Sequence, residues 1–159
     1  MIQQAERRYS FFVEGKPDAQ GSMKGYVRGN RAILVHNSKG LLPWRNAIAY
    51  AAREAGWDGR YLLDGAVYVS AHFMYRRPAS HYAKDGTLKA SAPKMPHRTG
   101  KDTDKLQRAV GDALNGIVWT DDRRIVGWDA RRLWTNEAEG VSIRIDRVTC
   151  EVFEPKEEA

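Results

Sequence analysis

Cysteine is nearly absent from this chain of 159 residues: Cys150 stands alone, so no disulfide can form within it. A disulfide-stapled secreted scaffold is thereby excluded, and Cys150 is expected to pack as a small apolar side chain. Long apolar runs are lacking as well, none approaching the roughly 20 residues that a membrane span needs. The opening stretch, MIQQAERRYSFFVEGK, has neither the apolar core nor the small-residue cleavage site of a secretory signal, so a cytoplasmic protein is expected. Histidine is sparse, and His36, His72, His81 and His97 do not fall at a metal-ligand spacing such as HExxH. His72, inside an apolar stretch, is expected to be packed or hydrogen-bonded. The segment GKPDAQG at 15–21 is no Walker motif, so ATP is not implied.

What the chain does carry is an ordinary globular composition, 42% apolar and 29% charged, at a length that suits one domain. A single domain is expected over 1–153, with an acidic, frayed tail at 154–159. Net charge is +6, and its distribution is uneven. Between residues 76 and 101, Arg76, Arg77, Lys84, Lys89, Lys94, Arg98 and Lys101 face only Asp85, so this stretch accounts for the whole net charge. A concentrated basic patch suits a polyanion, because each cation placed on a phosphate releases condensed counterions.

The hydrophobic pattern predicts a strand over 7–14, a hairpin over 26–36 turning at Gly29-Asn30, and a helix from Pro43 to about Ala55. A central strand is predicted at 66–75, then a long loop with Pro78, Pro93 and Pro96 over 76–101. Loops of that length in compact domains are usually functional or disordered, and the charge favours function. A second helix follows over 103–115, with Leu106, Ala109, Val110, Ala113 and Leu114 on one stripe and Gly116 ending it. Two further strands are predicted over 124–134 and 141–153. The order gives an α+β fold: one mixed sheet with two main helices.

The chemistry concentrates in 101–122. Asp102 and Asp104 are spaced i, i+2 where an extended segment enters a helix, so both carboxylates point to the same side. A short return after Gly116 brings Asp121-Asp122 back towards them. Clustered carboxylates repel unless a cation resolves the conflict, and Mg²⁺ prefers such oxygen ligands. A divalent cation so held polarises a phosphoryl oxygen and activates water. Arg108, one turn beyond Asp104, is placed to stabilise negative charge in a phosphoryl transition state. The simpler readings are a helix cap for Asp102 or Asp104, surface ion pairs for Asp104–Arg108 and Arg108–Asp112, and a plain turn for Asp121-Asp122. The five tryptophans are expected to be core residues rather than stacking platforms.

Asp102-x-Asp104, Arg108, Asp112-Ala113-Leu114-x-Gly116, Trp119, Asp121-Asp122 and Ile125 together resemble the signature of the RusA Holliday junction resolvases. The resemblance implies a homodimeric, Mg²⁺-dependent endodeoxyribonuclease, with Mn²⁺ as a substitute, acting on branched DNA, and a possible phage origin. It makes Asp102, Asp104 and Asp122 the essential carboxylates, with Asp121 secondary. Lys105 stands where the family usually has asparagine, and Arg108 where it usually has lysine. Lys89, Lys94, Arg98, Lys101, Lys105, Arg76 and Arg77 are the expected DNA contacts. The rival readings are a non-catalytic DNA-binding module and a Mg²⁺ enzyme acting on a small phosphorylated molecule.

Overall fold

The computed structural model describes residues 9–19, 23–28, 31–36 and 39–148. Cys150, the Gly29-Asn30 turn and the acidic tail lie outside the described residues. The elements run β1 (Ser10–Glu14), β2 (Met23–Arg28), β3 (Arg31–His36), α1 (Leu41–Glu54), β4 (Val67–Arg76), α2 (Thr103–Leu114), β5 (Ile125–Thr135) and β6 (Gly140–Arg147). β2 and β3 pair antiparallel as a hairpin, with Arg28 opposite Arg31. The other four strands form one mixed sheet in the order β1-β6-β4-β5, in which β4 runs parallel to β5 and antiparallel to β6. The predicted α+β architecture holds: a mixed sheet and two helices.

The sheet is half-covered, and the sequence shows why. Val67, Val69, Ala71, Phe73 and Tyr75 alternate along β4 and are buried, as are Val141, Ile143 and Ile145 of β6. Their neighbours Tyr68, Ser70, His72 and Met74 face the other side and are only half-buried. On that second face His72 Nε2 lies 3.2 Å from Asp129 Oδ2, so it is the hydrogen-bonded histidine expected. The Arg131 guanidinium and His72 hold the Asp129 carboxyl below the usual carboxylate range.

Both helices lie on the buried side, α1 against α2 and β1, and α2 against β5. α1 presents Leu41, Trp44, Ile48 and Ala52 to the core at helical spacing. It begins two residues before Pro43, which puts the proline within the first turn, where its missing N–H has no intrahelical partner to lose. Trp44, Trp57 and Trp119 are buried, as expected of core residues, and Trp128 and Trp134 are half-buried against the same core.

Candidate active site

α2 carries two stripes with different purposes. Leu106, Ala109, Val110, Ala113 and Leu114 are buried in the core. Asp104, Gln107, Arg108 and Gly111, at i, i+3, i+4 and i+7, line a hollow of about 230 Å³ together with Asp122, Ile125 and Trp128. One helix face therefore supplies a carboxylate, an amide and a guanidinium to the same space. The second carboxylate comes from the chain's return.

That return is built by the middle of the motif. At the end of α2 the Leu114 carbonyl accepts from the N–H groups of Ile117 and Val118 at 3.1 and 3.0 Å. Trp119 is fully buried and its indole N–H donates to Asn115 Oδ1 at 3.0 Å. Leu63 N donates to the Val118 carbonyl at 2.7 Å, fixing the returning segment beside the start of β4. Asp112 reaches Arg45 of α1 at 4.0 Å, an ion pair between the two helices. The Leu-Asn-Gly and Trp positions thus form the turn, and Asp104 and Asp122 on either side of it reach one hollow.

The two adjacent aspartates at the end of the return have different roles. Asp121 caps a short 3-10 turn (Asp122–Arg124), accepting from Arg123 N at 2.8 Å and from its guanidinium at 3.0 and 3.2 Å. Those Arg123 bonds hold the Asp121 carboxyl below its ordinary range. Asp122 instead approaches the helix at Gly111: a Cβ there would stand 3.6 Å from Asp122 Cβ and 3.7 Å from Ile125 Cδ1. Gly111 and Gln107 were not among the predicted site residues; a glycine within a helical stripe was the available signal.

Those distances are ordinary van der Waals contacts, so Gly111→Ala is expected to fit. It should gain up to about 1 kcal/mol of helix propensity, raising Tm by roughly 2–4 °C. Gly111→Leu has no such room and should displace Asp122. Thermal melting of both variants checks this, and an alanine variant that melts below wild type would contradict it.

Asp102 stands apart. It occupies the N-cap position of α2, yet its side chain makes no capping hydrogen bond, which removes the simplest structural reading of it. Its carboxylate is 72% exposed and pairs with Lys105 Nζ at 3.2 Å. Asp102 and Asp121 do not line the hollow; Asp104 and Asp122 do. Among the described residues no group of three or more histidine, cysteine or carboxylate side chains stands close enough to hold a metal ion. No carboxylate among the described residues lies within ion-pair distance of Arg108. The donor set of the hollow fits a hard cation, because two carboxylates with retained waters are what Mg²⁺ commonly takes.

The basic loop folds back onto the end of β5. The Pro93 carbonyl accepts from Arg77 at 2.9 Å and from the Trp134 indole at 3.0 Å. The Arg77 guanidinium lies 5.1 Å over the Trp134 ring, and His81 meets that ring edge-on at 5.3 Å. Tyr82 donates to Asn136 Oδ1 at 2.8 Å. Arg77 is therefore half-buried in the loop's anchor. Arg76, Lys94, Arg98 and Lys101 are exposed, and so is Lys89, whose Nζ donates to the Ser80 carbonyl at 2.9 Å. The loop ends at Lys101, beside Asp102, so its cations lead along the chain to the start of α2.

A mixed sheet with both helices on one face thus carries an open hollow lined by two carboxylates and an arginine. The family model for Endodeoxyribonuclease RusA matches residues 14–146. The chain belongs to the RusA endodeoxyribonuclease family, a family of nucleases. It is also 24% identical over 128 residues to the uncharacterized protein YqaN of Bacillus subtilis (strain 168), covering 80% of this chain and 88% of that protein. Among the described residues no helix is long and apolar enough to cross a membrane.

Proposed function

We propose that this protein resolves four-way DNA junctions by paired nicks, hydrolysing phosphodiester bonds with a divalent cation, Mg²⁺ or in its place Mn²⁺. The observation that carries this reading is the meeting of Asp104, Asp122 and Arg108 in one open hollow. Asp104 and Asp122 would hold the cation, with Asp102 joining them from the N-cap of α2 and Asp121 supporting the turn beneath. Bound there, the cation would supply activated water and polarise the scissile phosphoryl group. Arg108 orients a phosphate oxygen and offsets the charge that builds on it, its planar fork replacing a point charge. Ile125 and Trp128 add two apolar side chains to the lining of the hollow. Two symmetric nicks need two active sites, which a homodimer supplies.

A nicking assay on a synthetic four-way junction, beside the matching linear duplex and an EDTA control, tests the reading. Paired, metal-dependent nicks near the crossover with the duplex spared are expected. Tight junction binding without cutting under any divalent cation would favour a non-catalytic binding module instead.

Lys105 gives the reading a second test. Its ammonium sits on the Asp102 carboxylate, where the resemblance leads one to expect asparagine. Replacing Lys105 with asparagine should release Asp102 and lower the Mg²⁺ concentration for half-maximal cutting. An exposed ion pair of about 0.2–1 kcal/mol corresponds to a change of roughly 1.5- to 5-fold. A raised requirement would mean that Lys105 helps the site rather than competing for it.

A further inference from the structure

Arg132 is a guanidinium on the core-facing side of β5, level with Phe73 of β4, where a charge is costly unless it is used. Its Nη1 donates to the Thr99 carbonyl at 3.1 Å and to the Lys101 carbonyl at 3.3 Å. Those carbonyls flank Gly100, whose φ of +79° is open to glycine and strained for other residues. Gly100 also lies flat against Tyr75: a Cβ there would collide with the Tyr75 ring and hydroxyl. Tyr75 is 1% exposed and cannot give way, being held in the core of β4. Arg132 from β5 and Tyr75 from β4 thus both contact the backbone of residues 99–101, from the same face of the sheet.

These contacts have a consequence one residue further on. Asp102 is the last non-helical residue before α2, with φ −59° and ψ 141°, and its own side chain makes no cap bond that would fix it. The direction in which Asp102 leaves the loop is therefore set by residues 99–101. We infer that Arg132 is a positioning residue: by holding the Thr99 and Lys101 carbonyls over the Gly100–Tyr75 contact, it fixes the backbone from which the Asp102 carboxylate, here paired with Lys105, would swing to join Asp104 and Asp122 around a divalent cation. The inference rests on the reading of those carboxylates as cation ligands. Arg132 does not line the hollow, so it acts through the backbone.

The test uses full-length wild type, Arg132→Met and Arg132→Lys, with Mn²⁺ uptake followed by electron paramagnetic resonance in the absence of DNA. Melting, junction binding without metal and cutting are measured in parallel. The methionine variant is expected to bind Mn²⁺ about 10- to 100-fold more weakly, the range typical of lost outer-shell support. Its junction affinity should stay within about twofold, because no phosphate contact is removed. The lysine variant, whose ammonium keeps donors for one or both carbonyls, should lie between the two. A folded methionine variant with wild-type Mn²⁺ affinity would overturn the inference. Should that variant not fold, a lysine variant that melts lower yet takes up Mn²⁺ like wild type would overturn it equally. If wild type itself takes up no Mn²⁺, and Asp104→Asn changes nothing, the carboxylate reading fails and the inference falls with it.

Discussion

Asp104→Asn is expected to lower cutting of a four-way junction by about 10³-fold or more while leaving junction binding intact or tighter. Asparagine keeps the shape and one acceptor oxygen but removes the charge. The hollow contains two carboxylates, so the substitution halves the negative charge available there to a divalent cation. The helix should tolerate the change: Asp104 lies in the first turn with its side chain exposed, and the core stripe of α2 is untouched. Binding is expected to hold because the phosphate-facing cations are unchanged and one like-charge repulsion with the DNA backbone is gone. Asp122→Asn should behave the same way, since Asp122 reaches the hollow from the opposite side over Gly111. Single-turnover cleavage in Mg²⁺ and gel-shift titration without metal separate the two effects. An Asp104→Asn variant that still cuts at the wild-type rate would show that the chemistry is elsewhere.

Much of the frame was legible because it is written in local periodicity. The five-residue apolar stripe of α2 predicted its buried face, and the β-branched and aromatic residues of 66–75 predicted a central strand, whose one covered side the structure adds. Features that depend on distant residues were not legible. Nothing local distinguishes Asp121 from Asp122, yet one closes a turn on Arg123 and the other meets Gly111 of α2. The first-turn proline of α1 suggested a later start than the helix has, because the turn before it is set by burial of Leu41. No local pattern singles out Arg132, whose partners, Thr99 and Lys101, are more than thirty positions away. The loop at 76–101 has no period to read, and its order comes from Trp134 of β5, whose bond to Pro93 spans 41 positions. The simpler readings divide in the same way: Asp102 makes no cap bond but pairs with Lys105, Asp112 pairs with α1, and Asp121 closes a turn as the plain reading had it.

The loop should carry the second large effect. Lys94 and Arg98 are exposed on a segment pinned to the body of the protein at Pro93, so their charge is presented from a fixed base. Lys89 is exposed as well, with one ammonium donor engaged by Ser80 and others open to a phosphate. Each cation seated on a duplex phosphate contributes about 0.9 to the slope of log affinity against log salt. Replacing Lys89, Lys94 and Arg98 together by glutamine should therefore flatten that slope by up to about 2.7, and between 50 and 200 mM salt the variant should lose roughly 40-fold less affinity than wild type. Arg77 provides the contrast. It is spent on Pro93 and the Trp134 face, so Arg77→Gln should lower the melting temperature while changing the slope by less than one phosphate's share. Fluorescence anisotropy of a labelled junction across a salt series measures both variants. An unchanged slope in the triple variant would take the loop off the DNA and leave its charge without a partner in this reading; a steep loss of slope in Arg77→Gln would mean that its guanidinium leaves Trp134 to meet a phosphate when DNA arrives.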